Sequence, residues 1–114
     1  MLFQFMLTLS MKQISSDKYE ITRNHLKRLC NDTIAGHLTT TDLNTIAFAL
    51  IGSEYFTWDK DETTTDGKII DQTIYDWDNP DIGYPLTNEN LKRWTKYLET
   101  GEYTFDIREL KRVK

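Results

Sequence analysis

The sequence predicts a small all-α protein, a four-helix bundle or orthogonal array, in one domain over residues 1–114. Three observations predict it. An aliphatic residue, a Thr, three further residues and a Leu recur three times: Ile21-Thr22 to Leu26, Leu38-Thr39 to Leu43, and Leu86-Thr87 to Leu91. The segments behind these signals, and one more, place apolar residues at helical spacing. Finally, 39% apolar residues with only five Gly and two Pro exclude collagen-like and disordered chains. A chain of this length buries roughly two-thirds of its unfolded surface and needs no staple to fold.

Met1–Met11 reads MLFQFMLTLSM, with no basic residue ahead of it and no small-residue cleavage site. It is too short to span a bilayer, so the expectation is a cytoplasmic protein without a membrane segment. Residues 1–10 read either as a native stretch, with Leu7, Leu9 and Met11 alternating like a strand, or as an extension ahead of a start at Met11.

The repeated signal is an N-cap with a hydrophobic staple. The Thr hydroxyl takes an orphan N–H of the first turn, and the flanking apolar pair closes over it. Behind Thr22, a helix carries Leu26, Leu29, Cys30, Thr33 and Ile34, and Gly36 ends it. Behind Thr39, Leu43, Ile46, Ala47 and Leu50 run to about Gly52, and Asp42 is placed to reach back to the cap N–H. Residues 53–65 form a polar, Thr- and acid-rich loop bounded by aromatics. A helix over about Gly67 to Trp77 follows, with Ile69, Ile70, Thr73, Ile74 and Trp77 inward, Asp66 or Thr65 as its cap, and Asp78-Asn79-Pro80 as its stop. The fourth helix opens at Thr87, carries Leu91, Trp94, Tyr97 and Leu98, and stops at Gly101. Residues 102–107 alternate through Tyr103, Phe105 and Ile107 as a short strand would, which would make a minor two-stranded element with Leu7–Met11. The basic stretch 106–113 suits a last helical turn.

Candidate chemistry is sparse. One Cys excludes an intrachain disulfide and a Cys-built zinc site, and Cys30 falls on an apolar helix face as a core residue. His25 and His37 have no second ligand at helical spacing. Glu62 to Thr73 imitates a calcium loop, with Asp66 and Gly67 in register, but Thr73 stands where the bidentate Glu belongs. No Gly-rich phosphate loop follows a strand. The expectation is therefore no metal, no cofactor and no catalysis. The loop-rich acids Asp59, Asp61, Glu62, Asp76, Asp78 and Asp81 read as solvated carboxylates.

Charge is divided unevenly. The net charge is −4, against a nucleic-acid binder that works through phosphate contacts. Residues 54–81 hold nine acids and two bases, a balance of −7, while the other 86 residues balance at +3. The same segment holds Tyr55, Phe56, Trp58, Tyr75 and Trp77, with Tyr84 just beyond. Aromatic anchors among charges are the make-up of a protein-binding surface, and an acidic field speeds encounter with a basic partner. The candidate contact residues are Asp59, Asp61, Glu62, Asp78, Asp81 and Tyr84.

Over residues 18–105 this layout resembles the small helical immunity proteins that bacteria encode beside polymorphic or colicin-type toxins. The resemblance lies in the Thr-capped helix ending at Ala35-Gly36, the Leu38-Thr39 opening of the next, the acidic, aromatic middle, and a last helix after Tyr84-Pro85. Asp81-Ile82-Gly83-Tyr84-Pro85 is similar to the acid-then-tyrosine-proline turn with which nuclease-colicin immunity proteins meet their toxins, although the helix before it is longer here and one Tyr alone precedes the Pro. The resemblance implies a tight, non-catalytic inhibitor of one basic toxin domain. A second reading is a structural or regulatory subunit that forms a homodimer through its apolar N-terminal stretch.

Overall fold

Among the described residues, every α-helix opens on a threonine cap. The computed structural model describes residues 13–15 and 18–113. In chain order these form β1 (Gln13–Ser15), β2 (Lys18–Glu20), α1 (Arg23–Ile34), α2 (Thr40–Gly52), β3 (Phe56–Thr57), α3 (Thr65–Asp78), α4 (Asn88–Thr100) and a terminal 3-10 helix (Ile107–Val113). The four α-helices expected of an all-α chain are present among the described residues, and a small sheet joins them in a mostly α fold.

The caps explain the boundaries. Thr22 Oγ1 accepts from His25 N at 3.3 Å, and the Thr22 N–H donates to His25 Nδ1 at 3.0 Å. A histidine thus closes the capping box that Glu or Gln usually closes. Thr39 and Asp42 make the reciprocal pair at 3.0 Å each. Thr87 Oγ1 accepts from Asn90 N, while the Asn90 side chain donates to Pro85 O instead of the cap. The expected staples have their apolar partners in place: Ile21, Leu26, Leu43 and Leu91 are buried, and Leu38 and Leu86 pack against the core. α3 corrects the expectation, because its cap is Thr64 and not Thr65 or Asp66; Thr64 Oγ1 accepts from Gly67 N at 2.9 Å. At the other ends, Gly36 and Gly101 hold φ of +87° and +81°, the left-handed geometry that closes a helix most easily without a Cβ.

α1 packs chiefly against α4, and α2 against α3. The core between them includes Leu26, Leu29, Cys30, Leu43, Leu50, Ile70, Ile74, Trp77, Leu91, Trp94 and Leu98. Trp77 and Trp94 meet edge to face, with centroids 6.4 Å apart. Trp77 Nε1–H has no hydrogen-bond partner among the described residues. A small sheet covers one side of this core: β2 runs antiparallel to β1 and parallel to β3, aligning Tyr19 with Phe56. The minor sheet element therefore lies elsewhere than between the termini. Leu7–Met11 falls outside the described residues, and residues 103–106 carry no strand.

Packing, not a ladder, decides the path of that last segment. Phe105 is buried against Trp94 and Tyr84, each 4.6 Å away by ring centroid, and Tyr103 packs on Tyr97 at 4.8 Å. Arg93 of α4 lies 4.0 Å over the Phe105 ring and donates to Thr104 O at 2.6 Å. It also grips Glu109 with two parallel bonds of 3.0 and 2.9 Å. This fork holds the Glu109 carboxyl down at about 2. Alternating aromatics here are a strap laid on α4.

Asp76 ties the same elements from inside. It is 6% exposed in the last turn of α3, in contrast to the solvated setting that its sequence position predicts. Its Oδ2 accepts from Trp94 Nε1 at 3.0 Å and from Tyr103 Oη at 2.7 Å, while Oδ1 accepts from Gln72 Nε2 at 2.8 Å. Burial pushes its pKa up, and the three neutral donors oppose that shift.

Two outcomes follow. Asp76→Ala strands the Trp94 and Tyr103 donors and should lower unfolding free energy by about 3 kcal/mol. Asp76→Asn keeps an oxygen for both, with its amide turned to Gln72, and should stay within about 1 kcal/mol of wild type in a denaturant titration. For His25, burial lowers the pKa below 6.5, opposed by Glu20. The unfolded chain then takes up this proton first on acidification. The cap's contribution is whole above pH 6.5 and is lost as pH falls through the lowered value. His25→Gln, which keeps an acceptor for the box, should remove that part of the pH dependence of the unfolding midpoint.

Candidate functional site

The acidic, aromatic middle of the chain wraps α3. This helix buries Ile69, Ile70, Thr73, Ile74, Asp76 and Trp77 on one face. Its outer stripe carries Asp71, Tyr75 and Asp78 at 4-3 spacing, one per turn, so that a tyrosine stands between two carboxylates. Of the nine acids in residues 54–81, Asp76 alone is buried. Among the described residues, Asp66 alone of the nine forms an ion pair, with Arg23 at 3.0 Å.

The six nominated contact residues do not converge on one spot. Asp59, Asp61 and Glu62 precede α3 and Asp78 and Asp81 lie at or beyond its end, roughly 20 Å away for a 14-residue helix. Asp61, Glu62 and Asp81 are exposed. Glu62 adopts φ of +58°, a left-handed turn residue in the loop. Asp59 is engaged locally: Oδ2 accepts from Thr63 Oγ1 at 2.6 Å and from Thr64 N at 2.8 Å. The Thr63 hydroxyl leads the interactions that lower its pKa. Asp59 thus holds the loop at the head of α3, where the sequence lacks an aliphatic staple. The same contact explains Gly67, since a Cβ there would lie 2.5 Å from Asp59 Cβ.

Near the other end, Asp81 lines a cleft of about 320 Å³ with Thr40, Thr41, Asn44, Pro80 and Leu86. Tyr84 is half-buried on Phe105. Its hydroxyl pKa is raised, first by burial and then by the Asp76 charge.

The sequence reading missed an apolar surface. Phe48 is 68% exposed, Ile51 45% and Tyr75 56%. Phe48 and Ile51 share an outer face of α2, and Ile51 lines a groove of about 180 Å³ with Trp58, Lys60, Asp71, Ile74 and Tyr75. Trp58 Nε1 donates to Asp71 Oδ1 at 3.1 Å, and Lys60 Nζ rests 4.5 Å over the Trp58 ring. The signal was present in the run Ile46-Ala47-Phe48-Ala49-Leu50-Ile51, which is apolar on every side of the helix.

Elsewhere, Cys30 is a core thiol. Its Sγ–H donates to Leu91 O at 3.0 Å, and burial pushes its pKa up to about 11, so it is not a thiolate at neutral pH. Thr73, at the failed calcium position, is buried and donates to Ile69 O. Among the described residues, no three His, Cys, Asp or Glu side chains are grouped to hold a metal ion, and no helix is long and apolar enough to cross a membrane.

Compared with protein-family profiles, curated proteins and solved structures, the chain gives no match.

Gly67→Ala should force Asp59 away from Thr63 and Thr64 and lower the thermal midpoint, despite the better helix propensity of Ala. A midpoint equal to or above wild type would show that the Asp59 contact does not hold the head of α3.

Proposed function

We propose that this protein is a non-catalytic, acidic binding protein of the bacterial cytoplasm that neutralises a basic toxin domain, in the manner of the immunity proteins it resembles. One observation carries the reading. Eight carboxylates of residues 54–81 remain outside the core, and seven of them lack an ion-pair partner among the described residues. Such a field is weakly screened only within a Debye length of about 8 Å, and it favours close approach of a complementary, positive surface. The candidate contacts are Asp61, Glu62, Asp78 and Asp81, with Asp59 holding the loop of the first two in place and Tyr84 presented beside Pro85.

The reading expects the gene immediately upstream to encode a large secreted protein with a toxic C-terminal domain. Expressed alone, that domain should arrest growth, and co-expression of this chain should restore it. Charge reversal at Asp61, Glu62, Asp78 and Asp81 together should slow association by about tenfold or more and flatten its salt dependence. A harmless upstream product, or an association rate untouched by all four reversals, overturns the proposal.

A further inference from the structure

Residues 46–51 of α2 are apolar without interruption, yet the fold uses only one side of them. Ile46, Ala47 and Leu50 enter the core, whereas Phe48 and Ile51 face outward. Exposed aromatic and aliphatic residues are common singly, but here Ile51 lines a groove together with Tyr75, another large exposed side chain. The buried Ile74 and the half-buried Trp58 also line the groove. It is a concave, largely apolar site beside the acidic stripe of α3.

The surroundings indicate what belongs there. Asp71 lines the groove, and Asp78 continues the outer stripe of α3 beyond Tyr75. Among the described residues, Lys60 is the only basic residue in the groove lining, and it rests on the Trp58 ring, which shows that this aromatic face accepts a cation. A second copy of this chain docked face to face would set the −7 segment against itself. A positively charged partner meets no such repulsion.

We propose that the groove lined by Ile51, Trp58 and Tyr75, with Phe48 one turn before Ile51 on α2, docks a basic amphipathic segment of a partner protein. Its apolar side chain enters the groove between Ile51 and Tyr75, and its Lys or Arg residues meet Asp71 and Asp78. The inference deepens the reading above, on which it rests for a protein partner of positive charge. It relocates the centre of recognition from the acidic loop ends to the α2–α3 face. The carboxylates then steer and orient, while the buried apolar anchors set the lifetime of the complex.

The test titrates the ¹⁵N-labelled full chain with an amphipathic peptide carrying Leu at one-turn spacing between lysines, and with its glutamate-for-lysine counterpart. The lysine peptide should shift the signals of Phe48, Ile51, Tyr75 and the Trp58 indole, and the glutamate peptide should not. Phe48→Gln and Tyr75→Gln, each checked for an unchanged thermal midpoint, should each weaken binding by about tenfold. Lys60→Ala, which vacates the Trp58 ring, should tighten it about twofold to threefold. Lysine-peptide binding that is indifferent to Phe48→Gln and Tyr75→Gln but abolished by reversal of the loop acids overturns the inference and leaves the acidic binding reading standing. Absence of binding, or equal binding of both peptides, also overturns it. A concentration-dependent dimer that Phe48→Gln dissolves overturns it in favour of a second copy. Docking that follows the predicted pattern while the upstream domain is harmless supports the inference and removes the toxin reading instead.

Discussion

The buried carboxylate of Asp76 is the constraint around which the structure closes. A charge-bearing group in a core is tolerated only when its lone pairs are occupied, and here three neutral donors occupy them. Each donor belongs to a different part of the chain: Gln72 to α3, Trp94 to α4, and Tyr103 to the strap. Trp94 is turned so that its N–H meets Oδ2, and in that orientation its ring receives Trp77 at one side and Phe105 at another. Tyr103 cannot reach Asp76 unless the chain doubles back after Gly101. The strap, the Tyr84 ring that lies on it and the Arg93–Glu109 fork all follow from that return.

An inside so organised determines the outside. Because α3 turns Ile70, Thr73, Ile74, Asp76 and Trp77 inward, its remaining stripe must carry Asp71, Tyr75 and Asp78. α2 packs along this helix and contributes Phe48 and Ile51 to the same exterior. Acidic and apolar groups are thus juxtaposed by the pairing of two helices, and the acids at the ends of α3 are held apart by its length. The surface has one face with exposed apolar side chains and two flanking acidic ends, rather than a single acidic patch. Encounter and lifetime of a complex are separable on such a surface, since charge acts at a distance and apolar contact does not.

Much of the helical scaffold was legible because its signals are local. Thr22, Thr39 and Thr87 each bond a backbone N–H three residues ahead, a distance within one turn. Thr64 does the same, but its preceding residue is Thr63 and its loop is held by Asp59, five residues back, so the aliphatic signature was missing. Tyr103 and Phe105 alternated as in a strand, yet ring packing on α4 and the Arg93 clamp overrode that pattern. Of the candidate contacts, the exposure of Asp61, Glu62 and Asp81 agrees with their loop setting. The structural engagement of Asp59 and the half-burial of Tyr84 depend on neighbours that spacing did not indicate.

By itself, then, the sequence determined where α1, α2 and α4 begin, where the four helices end, which faces of α1, α3 and α4 are apolar, and where the negative charge lies. Each of these depends on residues within a turn or two of one another. Only the tertiary structure decided that Asp76 is a core residue, because two of its donors lie 18 and 27 positions away. It likewise decided that Phe48 and Ile51 stay outside: α2 offers apolar groups on every side, and which side meets the core depends on the helices packed against it.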